Sequence, residues 1–104
     1  MKRKKYKLQY SDSFIEDITE IAHYISYDLL NPVAADNLVN SVEKSIINRL
    51  QYPTGFKKCA SRNSKEEVYY KIQVKNYTIF YVLIDDVMER RRIIYSRRDI
   101  ENLV

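Results

Sequence analysis

The sequence predicts an α+β fold: an N-terminal strand, then an antiparallel helical hairpin packed on a small antiparallel β-meander. Apolar residues alternate with polar ones in the first ten positions, recur every three or four positions from Phe14 to Leu50, and alternate or run together again from Tyr70 onward. Net charge changes sign at the same places, being +5 over residues 1–10, −5 over residues 11–52 and +4 over residues 53–104. Two proline-containing breaks, LLNP and YPTG, delimit the helical part.

Each element follows from local chemistry. Tyr6, Leu8 and Tyr10 alternate with Lys5, Lys7 and Gln9, as in a strand with one buried face. Phe14, Ile18, Ile21, Ile25 and Leu29 then keep helical spacing behind Ser11 or Ser13 as N-cap, and Ser13 to Glu16 matches a capping box. Pro32 disfavours helical geometry at Asn31 but suits the first turn of a new helix, with Asn31 as its cap. Ala35, Leu38, Val42, Ile46 and Leu50 form the second helical stripe, which Pro53 and Gly55 stop. Residues 56–67 are polar, lysine-rich and without a sustained period, and no element is assigned to them.

The C-terminal half reads as three strands. Tyr70, Ile72 and Val74 alternate with Lys71, Gln73 and Lys75, and a turn at Lys75-Asn76 is expected because Asn tolerates positive φ. YTIFYVLI is continuous enough in β-favouring residues to be a central strand covered on both faces, and Asp85-Asp86 turns it into VMERRRIIY. Strict alternation there would put Arg91, Ile93 and Tyr95 on one face and Arg90, Arg92 and Ile94 on the other, so at least one arginine should lie near the core edge.

Composition bounds the function. A chain of 104 residues, 45% hydrophobic, is expected to form one domain over residues 1–104. Cys59 is the only cysteine, which argues against a disulfide or a zinc site and for a reduced, cytoplasmic protein. No apolar run approaches the roughly 20 residues of a membrane span, and the basic start MKRKK leads into an alternating segment, unlike a signal peptide. Neither a cofactor nor a metal is expected. His23 lies outside the apolar stripe without a second ligand at metal spacing, and Asp12, Glu16, Asp17 and Glu20 fit a helix N-terminus better than acid–base chemistry. Tyrosines interleaved with basic residues could serve base stacking, but Tyr69, Tyr70, Tyr77, Tyr81 and Tyr95 lie in strands, where packing explains them better.

The segments DSFIEDITEIAHYI, NPVAADNLVNSVEKSIINRLQYPTG, NYTIFYVLIDD and RRIIYSRRDIENL, in this order, resemble the RelE/ParE superfamily of type II toxins over nearly the whole chain. The resemblance implies a compact toxin held inactive by a cognate antitoxin, whose acidic or amphipathic segments cover its basic surface. It also implies one of two targets: ParE-like members poison DNA gyrase, and RelE-like members cut mRNA on the ribosome.

Cutting RNA through its own 2′-hydroxyl requires a group to take that proton, a group to protonate the leaving oxygen, and cations for the phosphorane. Relative to the RelE-like pattern, Lys71 and Arg98 stand at matching positions, whereas Thr78 replaces an arginine, Gln73 a lysine and Val104 a tyrosine. Tyr95, with Lys71 and Arg98, completes the candidate catalytic set if the chain is a ribonuclease. The ParE-like pattern fits better through IFY and through Arg92 to Asp99, although Tyr95 stands where that branch often has His.

The resemblance therefore favours the ParE-like branch, with Lys71, Tyr81, Arg92, Tyr95, Arg97 and Arg98 as candidate residues for binding antitoxin or target. The alternatives are a RelE-like ribonuclease, and an inactive relative kept as a binding module. Arg90 to Arg92 also have a plain structural reading as partners of Glu89, Asp85, Asp86 or the acidic helices. Whether the chain pairs with itself the sequence leaves open.

Overall fold

The computed structural model describes residues 5–54, 58–60 and 68–96. The elements in order are β1 (Lys7–Tyr10), α1 (Asp12–His23), a π-helical turn (Tyr24–Asp28), α2 (Pro32–Leu50), β2 (Lys58–Ala60), β3 (Val68–Val74), β4 (Tyr77–Ile84) and β5 (Val87–Tyr95). One sheet carries the strands in the order β1-β5-β4-β3-β2. The expected meander is there as antiparallel β3, β4 and β5, with β4 in the middle of the sheet. The N-terminal strand joins it parallel to β5, which makes the sheet mixed. β2 extends the opposite side, in a segment to which the sequence assigned no element.

Side-chain chemistry sets the helix boundaries. Ser11 has extended backbone, and its Oγ accepts the Phe14 N–H at 3.2 Å while donating to the Arg91 carbonyl at 2.9 Å. One residue thus caps α1 and ties its start to β5. Asn31 caps α2 by accepting the Ala34 N–H at 3.1 Å, with Pro32 in the first turn. The first helix does not run evenly to Leu29: at Tyr24 it widens into the π-helical turn, and Leu30 follows with φ 52. Leu29, expected in the buried stripe, is 55% exposed for that reason.

Phe14, Ile25, Ala35, Leu38, Val42 and Ile46 from the helices meet Tyr70, Ile72, Val74, Ile79, Met88 and Ile93 from the sheet in one core. Residues Thr78 to Val82 of β4 are all buried, as a strand covered on both faces requires. Both hairpin loops, Lys75-Asn76 and Asp85-Asp86, have two residues, and in each the first residue takes positive φ. The turn expected from Asn76 therefore puts its positive φ at Lys75 instead.

A β-bulge in β5 changes the expected facing of the arginines. Tyr81 pairs with Arg90 and Phe80 with Arg92, so Arg91 is an extra residue in the ladder. Strict alternation would separate Arg90 from Ile93, yet both are buried on the helical side, Arg90 beside Phe14 and Ile93 within the core. The expectation that one arginine approaches the core is met by Arg90, only 2% exposed, whose guanidinium stacks over Tyr10 and Phe14.

Candidate partner-binding surface

The candidate residues separate into different environments. Tyr81 is a correction: it lies wholly inside the protein and cannot meet a partner directly. Its hydroxyl donates to the Pro53 carbonyl at 2.8 Å and accepts from Arg49 at 3.1 Å, and its ring stacks on Tyr70 with centroids 5.2 Å apart. These bonds pin the end of α2 and the chain after it to the middle of the sheet. Burial raises the Tyr81 hydroxyl above the usual tyrosine pKa, the Arg49 hydrogen bond and charge pull it back in part, and Tyr70 adds to the rise. Tyr77 is also raised, by burial and then by Tyr95 and Tyr24.

A group held protonated in the folded state contributes stability below its unfolded pKa, and that contribution is lost as pH rises through the folded pKa. Stability should therefore fall from about pH 10 upward, where unfolded tyrosines ionise. Tyr81→Phe should flatten part of that decline and cost about 1–2 kcal/mol at neutral pH, because the Pro53 carbonyl loses its donor. Denaturation curves from pH 8 to 11 read both effects.

Arg92 is half exposed but engaged. Its guanidinium grips Asp17 on α1 through two hydrogen bonds of 2.6 and 3.1 Å, and the Ile93 N–H donates to the same carboxylate at 3.1 Å. The Asp17 hydrogen bond raises the Arg92 pKa, with burial opposing it. Asp17→Ala removes all three bonds and should cost about 2 kcal/mol, whereas Arg92→Ala leaves Ile93 its acceptor and should cost about half as much. Equal losses in urea titrations would show that the backbone bond contributes nothing.

Arg90 donates to Glu43 on α2 at 2.9 Å, and Arg91 pairs with Glu89. Each arginine of the RRR run thus has a carboxylate within the chain, in line with the structural reading of that run. Lys71 is exposed on β3 and stands in one cross-strand row with Phe80 and Arg92. Two strand spacings of about 10 Å in total separate the two cations. Tyr95 lies at the end of the sheet, half buried and edge-on to Tyr77 with centroids 5.5 Å apart. Arg97 and Arg98 lie outside the described residues, as does Val104.

One arrangement at this end of the sheet was not anticipated. The Thr78 hydroxyl donates to the Gln73 side-chain carbonyl at 3.0 Å, Gln73 donates to Ser96 Oγ at 2.7 Å, and the Thr78 and Ser96 hydroxyls are 2.8 Å apart. Three neutral side chains from β3, β4 and the end of β5 close a triangle. On the helical side, Ile21, Tyr24 and Leu29 line a groove of about 930 Å³ together with Tyr77, Ile94 and Tyr95, with the Asp17–Arg92 pair also in its lining. Tyr27, Leu30 and Val33 are exposed nearby in sequence, where the π-turn leads into α2. His23 lies on the surface with its ring 4.5 Å from Tyr27. Among the described residues no cluster of His, Cys, Asp or Glu could hold a metal, and no helix is long and apolar enough to cross a membrane.

This architecture is the RelE/ParE-like fold. A chain of the chromosomal ParDE toxin–antitoxin system from P. aeruginosa superposes with a TM-score of 0.66 at 15% identity, over 88% of this chain and 96% of that one. The conserved hypothetical protein HP0894 from Helicobacter pylori gives 0.56 at 20% identity, over 89% and 97%. A chain of the RelB-RelE antitoxin–toxin complex from Methanococcus jannaschii gives 0.50 at 17% identity, over 91% and 96%. At these identities the likeness is one of fold, and no curated protein matches the sequence. The family is fixed by the model of the ParE toxin of type II toxin–antitoxin systems (parDE), which matches residues 8–100. The chain belongs to the ParE toxin family and is a toxin of a type II toxin–antitoxin system.

Proposed function

We propose that this toxin arrests growth by binding DNA gyrase rather than by cutting RNA, and that a cognate antitoxin neutralises it by covering its basic surface. The observation that carries the choice of target is the Gln73–Thr78–Ser96 triangle. Where the RelE-like pattern has a lysine and an arginine, this chain holds an amide and a hydroxyl bonded to each other and to Ser96. Neutral groups that satisfy one another offer no cation to a phosphorane and no acid or base poised for proton transfer. Lys71 and Arg92 remain as cations in one row, but Phe80 lies between them and Arg92 is held by Asp17. That suits electrostatic attraction of an acidic protein surface better than chemistry at one phosphate.

The test is induced expression in a susceptible bacterium without antitoxin, followed for growth, plasmid topology and transcript integrity. Growth arrest with altered supercoiling and intact mRNA is expected, together with inhibition of purified gyrase. Arrest with fragmented mRNA on ribosomes would replace this reading with the ribonuclease one. Harmless expression would leave an inactive relative that serves as a binding module.

A further inference from the structure

The turn between the two helices breaks two local rules at once. Leu30 holds φ 52, a region that glycine or asparagine occupies at less cost, and its side chain is 83% exposed, so no burial offsets the strain. Tyr27 and Val33 beside it are each 67% exposed. The turn is nonetheless fixed: the Leu29 N–H donates to the Tyr24 carbonyl at 3.1 Å, and the Asn31 N–H to the Ile25 carbonyl at 3.0 Å. π-helical turns and strained residues concentrate at functional sites. Three large apolar side chains held together in water by such a turn form a docking surface, unlike the scattered apolar exposure of any protein.

Beside this apolar knuckle lies a recess that can receive its like. Leu29 and Asn31 line the groove of about 930 Å³, so the turn forms its rim, and Tyr77, Ile94 and Tyr95 line it from the sheet. A projecting apolar turn and an apolar groove on one face are what a two-fold pair requires, because the axis between them sets each copy's turn in the other's groove. The charges agree. Among those lining the groove, Asp17 and Arg92 bind each other, which leaves Glu20 on the helical wall and Lys75 on the sheet wall, both exposed and neither in an ion pair among the described residues. The turn itself carries Asp28, exposed between Tyr27 and Leu29. Asp28 is attracted by Lys75 and repelled by Glu20, which orients an incoming turn toward the sheet wall.

We propose that this turn is a self-association surface: two copies of the chain pair about a two-fold axis, Tyr27, Leu30 and Val33 of each resting in the groove of the other and Asp28 of one copy opposite Lys75 of the other. The groove lies on the helical side of the sheet, so Lys71 and the Gln73–Thr78–Ser96 triangle on the other face stay open in the pair. Pairing of this kind is independent of the target proposed above.

The test is sedimentation velocity on the full chain without antitoxin, over a range of micromolar concentrations. A reversible monomer–dimer equilibrium is expected for the unaltered chain. Leu30→Gly removes the apolar side chain and suits the backbone at φ 52, so it should keep or raise the melting temperature and weaken pairing about tenfold or more. Asp28→Lys and Lys75→Asp change exposed positions, and aspartate tolerates the positive φ of Lys75. Each should be monomeric alone, because like charges then meet in the groove, and the two should form a mixed dimer when combined, because both contacts again join opposite charges. A chain that stays monomeric at every concentration, pairing unchanged in Leu30→Gly, or single charge variants that pair with themselves as before or fail to pair on mixing would overturn the proposal. None of these readouts depends on toxicity, so this surface can fail while the toxin reading stands, and the reverse.

Discussion

Arg90→Ala is expected to lower the unfolding free energy by about 3–4 kcal/mol, whereas Arg90→Met should lower it by less than about 1.5 kcal/mol. The guanidinium is buried, 4.5 Å from the Tyr10 ring and 5.1 Å from the Phe14 ring, and its ion-pair partner among the described residues, Glu43, keeps half its side chain in water. Removing the arginine returns Glu43 to solvent at little cost. What alanine loses is volume between β1, α1 and α2, together with the attraction of a cation for two aromatic faces. Methionine restores most of that volume with a flexible, polarisable chain and removes a buried charge whose Nε has no hydrogen-bond partner among the described residues. Glu43→Ala should fall between them, at about 2 kcal/mol, because it strands the cation with only π partners. Equilibrium denaturation in urea gives the order directly. Arg90→Met costing as much as Arg90→Ala would mean that the charge, and not the filled space, holds the helices to β5.

Arg90 also shows what could and could not be read in advance. Three consecutive arginines in an alternating strand cannot all reach one solvated face, which is enough to place one near the core. Which one depends on the bulge at Arg91, and a bulge leaves no mark in a run of three identical residues. The helices were legible because Phe14 and Ile25, and then Ala35, Leu38, Val42 and Ile46, keep a helical period that burial uses directly. Leu29 departed from it where the helix widened, a change of backbone winding that hydrophobic spacing does not encode.

Family pattern puts Tyr81 on a binding surface, whereas the continuous β-favouring run around it calls for cover on both faces; the burial of Tyr81 follows the second, physical argument. The Gln73–Thr78–Ser96 triangle joins residues up to 23 positions apart and needs the register of β3, β4 and β5 before it can be seen. In the sequence these positions registered only as missing cations.

Thr78→Arg, which writes the RelE-like cation back into β4, should destabilise the protein by about 3–5 kcal/mol and should not create a ribonuclease. Thr78 is 1% exposed and its hydroxyl is shared between Gln73 and Ser96. An arginine there must bury a long charged side chain in a strand whose neighbours are full, or push β3 and β5 apart; either breaks the triangle. Gln73→Lys is a milder change, because Gln73 is exposed and a lysine can turn to water, so a loss of about 1 kcal/mol from the triangle is expected. The double variant offers two cations beside Lys71, both protonated at neutral pH, and so supplies charge without a general base.

Ribosome-dependent cleavage should therefore stay at background in Gln73→Lys and in the double variant, while gyrase inhibition survives in Gln73→Lys. Melting temperature distinguishes loss of fold from loss of binding. Message cleavage by a folded Thr78→Arg chain would mean that the sheet end is a ribonuclease site lacking one cation, and the gyrase assignment would have to be withdrawn.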